Sequence, residues 1–469
     1  MNPQGERWTA EQVLALAPDS ASRKAGGKLA TAGPWSETGS NAQSVWGLCG
    51  GSGSRPYQTV VDLGGASGPG YKCSCPSRKF PCKHALGLLL LWAGETGEGS
   101  VREAPRPPEW AGEWLAGRRD RAARQTAATG ADTAGGAAGA GGAAPAGADP
   151  AAARRRAEQR AARIAAGASE LEQRLADLLR DGLAAAEDDS HAGFTAWGET
   201  AARMVDAQAP GLEARVRELA AVRASGPGWP GRLLEECALT HLLNQGFLHI
   251  DELPEELAAT TRSRVGIPVS AAGLLASGPV VRDHWWVLGR QDSDDGRLTT
   301  RRIWLRGQRT GRIALLLSFG AAGRAPELTL PTGLVLDADL VYYPSARPLR
   351  AVLGARYGRP APQAEATAPP GVGIAEALAG YGEALRDDPW LEAWPTVLAD
   401  ATPIPGPDGW QLADVRTATA VPVDPRCLQR TNLWQLAAVS GGGPVTVFGE
   451  CGHRGFAPIT TWDPHPVPL

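Results

Sequence analysis

The chain has 469 residues, a formal net charge of −3 and a hydrophobic fraction of 43%. That length is enough for two or three domains with real cores, and the charge balance excludes a coat protein that is basic all over. Seven cysteines, an odd number with four of them scattered, exclude a disulfide framework and make a tight Cys/His cluster read as a metal site in a reducing compartment.

The opening stretch, MNPQGERWTAEQVLALAPDS, lacks the basic-then-apolar layout of a secretion signal. The longest apolar run, residues 85–94, falls short of the ~20 residues needed to cross a bilayer. The expectation is a soluble, cytoplasmic chain with no membrane partner. Residues 1–118 form the first unit. Within it YQTVVDLGG (57–65) has the β-branched content of a strand bounded by Gly, Pro and Ser. PPEWAGEWLAGRRDR predicts an amphipathic helix with Trp110 and Trp114 on one face.

Between them lies CSCPSRKFPCKHALGLLLLW (73–92), where Cys73, Cys75, Cys82 and His84 form a C-x-C, six residues, C-x-H pattern. Three thiolates and one imidazole make the closed donor set that tetrahedral Zn²⁺ favours, with no position left for water, which predicts one structural and not hydrolytic zinc. Residues i and i+2 of a strand point the same way, so Cys73 and Cys75 can share a metal. Pro76 stops the strand, and Pro81 presets a helix entry that brings in Cys82 and His84. A redox Cys-x-Cys pair is the main rival and leaves Cys82 and His84 unexplained.

All five lysines of this Arg-preferring chain lie in its first 83 residues, and residues 1–92 carry nine basic side chains against five acidic ones. Arg55, Lys72, Arg78, Lys79 and Lys83 surround the cysteines. They serve either to offset the thiolate charge or to contact a partner or nucleic-acid phosphates. Four or five cations are a weak nucleic-acid footprint, which tilts the balance to the first role. The loop PSRKFP between the cysteine pairs is the segment best placed to touch a partner.

Residues 119–152 are Ala/Gly-rich with almost no large apolar side chain, the composition of a flexible linker. Residues 153–260 are predicted helical, with Ile164, Leu171, Leu175, Leu178 and Leu179, then Phe194, Trp197, Ala201, Met204 and Val205, at bundle-core spacing. A third helix follows Pro210, and a fourth begins near Pro230 with Leu233, Leu234, Cys237 and Leu242. Residues 261–469 turn β-prone: HWWVLGR, RRIWLRG, RIALLLSF, DADLVYYP, LRAVLGAR, TATAVPVD, WQLAAVS and PVTVFGE read as strands, and GIAEALAGYGEALRDD as a helix among them. The fold class expected is therefore a multidomain α+β protein: a small ββα zinc-binding N-terminal module, a flexible linker, a helical middle region and a β-rich C-terminal domain.

YKCSCPSRKFPCKHALGLLLLW, with the strand TVVDL before it, resembles the SWIM-type zinc finger, a short β-β-α module of pattern C-x-C-x(n)-C-x-H. Upstream, WGLCGGSGSRPY is similar to the lead-in of a bacterial group of SWIM proteins. RRIWLRGQRTGRIALLLSF, YYPSARPLRAV and FGECGHRGFAPITTW are similar to that group's C-terminal region. The resemblance implies one zinc on Cys73, Cys75, Cys82 and His84, and a module that contacts DNA or other proteins. It also implies a protein partner of the AAA+ ATPase or von Willebrand A type. Where the group's pattern reads like FGEWDG this chain has FGECGHRG. That raises a second metal site at Cys451 and His453, completed by Cys427 and His465; a strand-turn-strand with incidental residues is the stronger reading.

CGGSGSRPY lacks the Gly-Lys-Ser/Thr ending of a phosphate loop and reads as a turn before a strand. QDSDDGRL (291–298) has the wrong carboxylate spacing for calcium and reads as an Asp-Gly hairpin turn. His191, His241, His249 and His284 stand alone. No Ser/His/Asp, paired-carboxylate or Walker constellation appears, so no catalytic residue, no small-molecule substrate and no enzymatic activity are expected. The leading reading is a zinc-stabilised interaction or scaffold protein, with DNA binding through the cationic rim as the alternative.

Overall fold

The computed structural model describes residues 8–469 apart from 15, 18–19, 51–54, 64–68, 78–80, 95–100, 129–149, 183–191, 295–297, 322–325, 327, 359, 364–366, 408 and 429–430. The first unit begins with two short helices, α1 (Ala10–Leu14) and α2 (Ser20–Gly27). Four strands follow, β1 (Trp35–Ser40), β2 (Ser44–Cys49), β3 (Tyr57–Asp62) and β4 (Gly70–Cys73), and then helix α3 (Lys83–Ala93). The strands form one antiparallel sheet in chain order. β3 is buried on both faces: Val61 joins the core that contains α3, while Val60 packs with Trp46 against Ala111 and Leu115 of α4 (Glu109–Ala128). Thus α4 returns to the module as its sequence predicts, but Ala111 and Leu115 form its most buried face and Trp110 and Trp114 flank it.

Helix α3 is apolar around its whole circumference, which only a helix with no water-facing side can bear. His84 through Trp92 are all buried, with the sheet on one side and α1 and α2 on the other. Trp92 meets Trp8 edge-on at 6.2 Å between ring centroids. Two glycines let α2 lie this close. A Cβ on Gly26 would sit 2.8 Å from the Leu86 Cβ, and one on Gly87 would sit 2.5 Å from the Leu29 Cβ.

The helical middle comprises α5 (Pro150–Asp181), α6 (Ala192–Asp206), α7 (Pro210–Val222), α8 (Trp229–Leu248) and α9 (Glu255–Val265), with α10 (Ala271–Ser277) leading out. The greater part of the residues read as linker, 129–149, lies outside the described residues; α4 runs up to it and α5 starts after it. Ile164, Leu171, Leu175, Ala201, Met204, Leu233 and Cys237 form the bundle core. Leu179, Val205, Leu234 and Leu242, which the sequence places in the bundle core, lie exposed instead. Each sits one residue from, or a fraction of a turn off, the buried stripe, which α8 continues through Leu243 and Phe247 instead.

The C-terminal region holds two further sheets. The first contains β5 (Val280–Asp294), β6 (Leu298–Gly307), β7 (Ile313–Ala321), β8 (Leu334–Tyr342), β9 (Arg350–Arg356) and the short β10 (Ala361–Pro362). Because β9 pairs with both β7 and β8, strands β8, β5, β6, β7 and β9 close into a ring. Alternation then sorts side chains into two layers. Trp285, Val287, Ile303, Leu305, Ala314 and Leu316 belong to a core continuous with that of the zinc-binding unit. Trp286, Leu288, Trp304 and Leu315 point the other way, against the second sheet.

That second sheet is built from β11 (Ala393–Gly406), β12 (Gly409–Asp414), β13 (Thr419–Pro422), β14 (Val445–Gly452), β15 (Gly455–Asp463) and β16 (His465–Pro468). Helices α11 (Ile374–Asp387) and α12 (Leu433–Ser440) cover its far side. The segment WQLAAVS corrects the sequence reading: it is helix α12, not a strand. Asn432 caps it by accepting the Gln435 N–H at 3.1 Å, and Gly441 ends it in the left-handed region at φ 55°. Leu433 and Leu436, three apart, are its buried residues. In so short an apolar run the flanking caps carry the helix signal that composition does not.

Candidate metal centre

Strand β4 ends at Cys73, so Cys75 lies in the bend beyond the strand and not within it. The bend is fastened to β3 by reciprocal bonds: the Ser74 N–H donates to the Gln58 carbonyl and the Gln58 N–H to the Ser74 hydroxyl, both at 3.0 Å. Cys82 is the N-cap of α3. Its extended backbone (φ −72°, ψ 169°) lets its carbonyl accept the Leu86 N–H at 3.0 Å while the thiol is left free of capping duty. His84 follows in the first helical turn.

The ligand atoms of Cys73, Cys75, Cys82 and His84 all lie within 4.8 Å of one another. A tetrahedral zinc with Zn–S bonds of about 2.3 Å has sulfur–sulfur edges of about 3.8 Å, so the cluster is of the right size. Cys73 Sγ is 3.6 Å from His84 Nδ1 and 3.3 Å from Thr59 Oγ1, whose hydroxyl donates to a thiolate there. Cys82 and His84 are buried and Cys73 and Cys75 half-buried, so the site is closed on the helix side.

The thiols cannot all ionise side by side without a cation. The hydrogen bond from Cys82 pulls Cys73 down to about 3, with His84 and Thr59 adding to it against the effect of burial. The same bond, together with burial, pushes Cys82 up, and burial pushes Cys75 up. One thiolate is therefore ready, and a divalent ion displaces the protons from the other two. This Cys₃His set supports one structural zinc ion.

Two contributors escape a reading by ligand spacing. The β3–β4 register places Thr59 opposite Cys73, and Tyr57, two residues earlier on the same face, stacks on His84 at 4.8 Å between ring centroids. Their signal is parity along YQT, visible only once the pairing is known. Cys49 ends β2 near the cluster, close enough for Cys73 to act on it, but it is not one of the four convergent groups. Its thiol lies 3.7 Å from the Gly50 carbonyl.

Of the surrounding cations, Arg55, Lys72 and Lys83 are exposed, and Arg78 and Lys79 lie outside the described residues. Alternation in β4 turns Lys72 to the face opposite Cys73. Beside the ligands, α2 and the bend enclose a groove of about 500 Å³ lined by Ala21, Ala25, Leu29, Tyr57, Pro76 and His84 among others.

The described residues contain no second group of this kind. Cys451 is buried in the β14 core, and His453 sits in the turn to β15 with Nδ1 3.5 Å from the Tyr381 hydroxyl, the strand-turn-strand arrangement. His241 pairs with Glu172, and His249 Nδ1 is 3.0 Å from the Gln245 carbonyl; His191 lies outside the described residues. The loops read as turns at 51–54 and 295–297 also lie outside them, between strands that pair as hairpins, β2 with β3 and β5 with β6. No helix among the described residues is long and apolar enough to cross a membrane.

Residues 57–93 match the family model of the SWIM zinc finger, and residues 159–265 match that of the SWIM-associated four-helix bundle domain. The first match spans β3, β4, the four ligands and α3; the second spans most of the helical bundle. No curated protein and no solved structure matches the chain.

Proposed function

We propose that the chain is a non-catalytic, cytoplasmic interaction protein. In this reading Cys73, Cys75, Cys82 and His84 hold one zinc, and the finger docks a protein partner, an AAA+ ATPase or a von Willebrand A-type protein. The supporting observation is the groove beside the ligands. It is walled by Ala21 and Ala25 of α2, by Leu29 and by Pro76, with Lys83 and His84 at the start of α3 also lining it. Small side chains and a proline suit an inserted apolar side chain better than a phosphate backbone.

The second reading is DNA binding through Arg55, Lys72, Arg78, Lys79 and Lys83. The exposure of Arg55, Lys72 and Lys83 favours it, and the opposed facing of Lys72 counts against it. Purified zinc-loaded chain mixed with candidate ATPase and von Willebrand A-type proteins tests both readings in one titration series. A complex that Ala25→Asp abolishes with zinc content unchanged supports protein docking. Duplex DNA binding that weakens steeply as salt rises and is lost in Lys83→Glu replaces it with the second.

A further inference from the structure

A second cavity, of about 660 Å³, opens where the helical bundle, the β5–β9 ring and the C-terminal sheet meet. Its walls come from segments far apart in the chain: α9, strands β6 and β7, the connection from β8 to β9, the end of α11, and the β14–β15 hairpin. Three stretches that stand out in the sequence, RRIWLRGQRTGRIALLLSF, YYPSARPLRAV and FGECGHRGFAPITTW, all contribute to it, and the zinc centre uses none of them.

Guanidinium groups dominate the lining. Arg264, Arg302, Arg347, Arg350 and Arg426 face Asp388, Glu392, Asp424 and Glu450, and Asp387 stands behind Arg347. Four of the arginines are held in place by carboxylates. Arg264 is 2.7 Å from Asp388, and Arg302 is 2.8 Å from Glu450, a contact that bridges the two sheets. Arg347 is 2.8 Å from Asp387, and Arg426 is 2.8 Å from Asp424 and 3.7 Å from Glu392. Arg350 is different. It is exposed, lies 4.3 Å over the Tyr343 ring, and has no carboxylate partner among the described residues.

We propose that this cavity binds a small oxyanion, a phosphate- or carboxylate-bearing molecule, with Arg350 as its unneutralised charge and the fixed forks of Arg302 and Arg426 as orienting donors. A guanidinium carries five N–H donors in a planar fork, and an ion pair with one carboxylate uses at most two of them. The remainder match the oxygens of a phosphate or a second carboxylate. The volume lies in the range of small-molecule sites, and a junction of three units is where such sites form.

The test titrates inorganic phosphate and, separately, citrate into the full zinc-loaded chain by calorimetry, with sodium chloride holding ionic strength constant. Saturable binding of at least one is expected, and the one that binds names the class of oxyanion. Arg350→Gln breaks no ion pair and is expected to weaken binding roughly tenfold or more, the loss of one charge-assisted contact. Arg282→Gln, on β5 and outside the cavity lining, is expected to leave it within about twofold. Absence of saturable binding for both anions overturns the proposal. So does binding that Arg350→Gln leaves unchanged, or that both variants weaken equally.

Discussion

Single residues in this protein earn their place by the groups they satisfy, and Asp283 is the clearest example outside the metal centre. It is 3% exposed, and its carboxylate accepts the N–H groups of Arg309 at 3.1 Å and Thr310 at 2.9 Å, fastening the turn between β6 and β7. Burial alone would raise its carboxyl; the bonds from Thr310, Arg309 and His284 outweigh this and hold it below the usual carboxylate range. A carboxyl lowered in the folded state stabilises above its unfolded value of about 3.9, and that contribution is lost as pH falls through the folded value. Asp283→Ala is expected to cost about 1–3 kcal/mol at neutral pH, from the orphaned N–H groups. Urea unfolding should show the gap to the unaltered chain narrowing below about pH 4. A gap equal at pH 7 and pH 3 would assign the cost to shape and not to the charge. The metal ligands were legible at this scale because thiols are few and their spacing is chemical. Asp283, Thr59 and Tyr57 were not, because a carboxylate, a hydroxyl and a ring acquire their roles only from the strand pairing around them.

At the scale of elements, the contact between α2 and α3 decides whether the finger closes. Gly87 is the point of closest approach, with the Gly26 carbonyl 3.3 Å from where its Cβ would be and the Leu29 Cβ nearer still. Gly87→Ala is expected to lower stability by about 1–3 kcal/mol, because a backbone atom and a Cβ cannot turn aside. Gly27→Ala, next to that contact but with nothing within 4 Å of its Cβ, is the matched control and should be neutral or stabilising by up to about 1 kcal/mol. Thermal unfolding of the zinc-loaded variants separates the two. Equal shifts would mean that helix propensity and not packing governs the site. Elements with a long, regular pattern could be read directly, as β5, β6 and α11 could. WSETGS of β1 has no apolar alternation, and LWQLAAVS of α12 has too few residues to show a period. These two depend on neighbours, on β2 for pairing and on the sheet beneath α12 for burial.

For the molecule as a whole, the central fact is that one apolar core joins the zinc-binding unit to the inner layer of the β5–β9 ring. The metal is therefore coupled to strands more than 200 residues away. Chelating the zinc, or removing it with Cys82→Ala, is expected to take zinc content from about one per chain to none. Amide exchange should then rise in residues 57–93 and also in β5 and β6, while β14 and β15, packed on the outer layer, keep their protection. A rise confined to 57–93 would show that the finger unfolds alone. None of this long-range arrangement was legible in the sequence. The residues that line the second cavity run from Thr260 to Ala457, and no local pattern tells that they converge. What the sequence did carry was the identity of some of these segments, since the three stretches that stood out are among those that meet.

Strand β5 serves both of these distant places. Up to Val287 it alternates regularly, but its pairing with β6 passes from Val287 opposite Leu305 to Gly289 opposite Trp304, skipping Leu288. The strand thus shifts frame by one residue at that point. Beyond it Arg290 and Asp292 fall on the side of Ile303 and Arg301, near Tyr71 of the finger, and Gln291 falls beside Arg302 in the cavity wall. Deleting Leu288 would remove the bulge with Gly289 still opposite Trp304, so both sets of side chains would keep their faces. Were Leu288 instead paired opposite Trp304, the frame would slip by one residue, sending a guanidinium and a carboxylate into the cavity and leaving an amide where Arg301 now finds its ion pair with Asp292. By absorbing one residue, the bulge therefore sets which half of the protein each polar side chain of β5 belongs to.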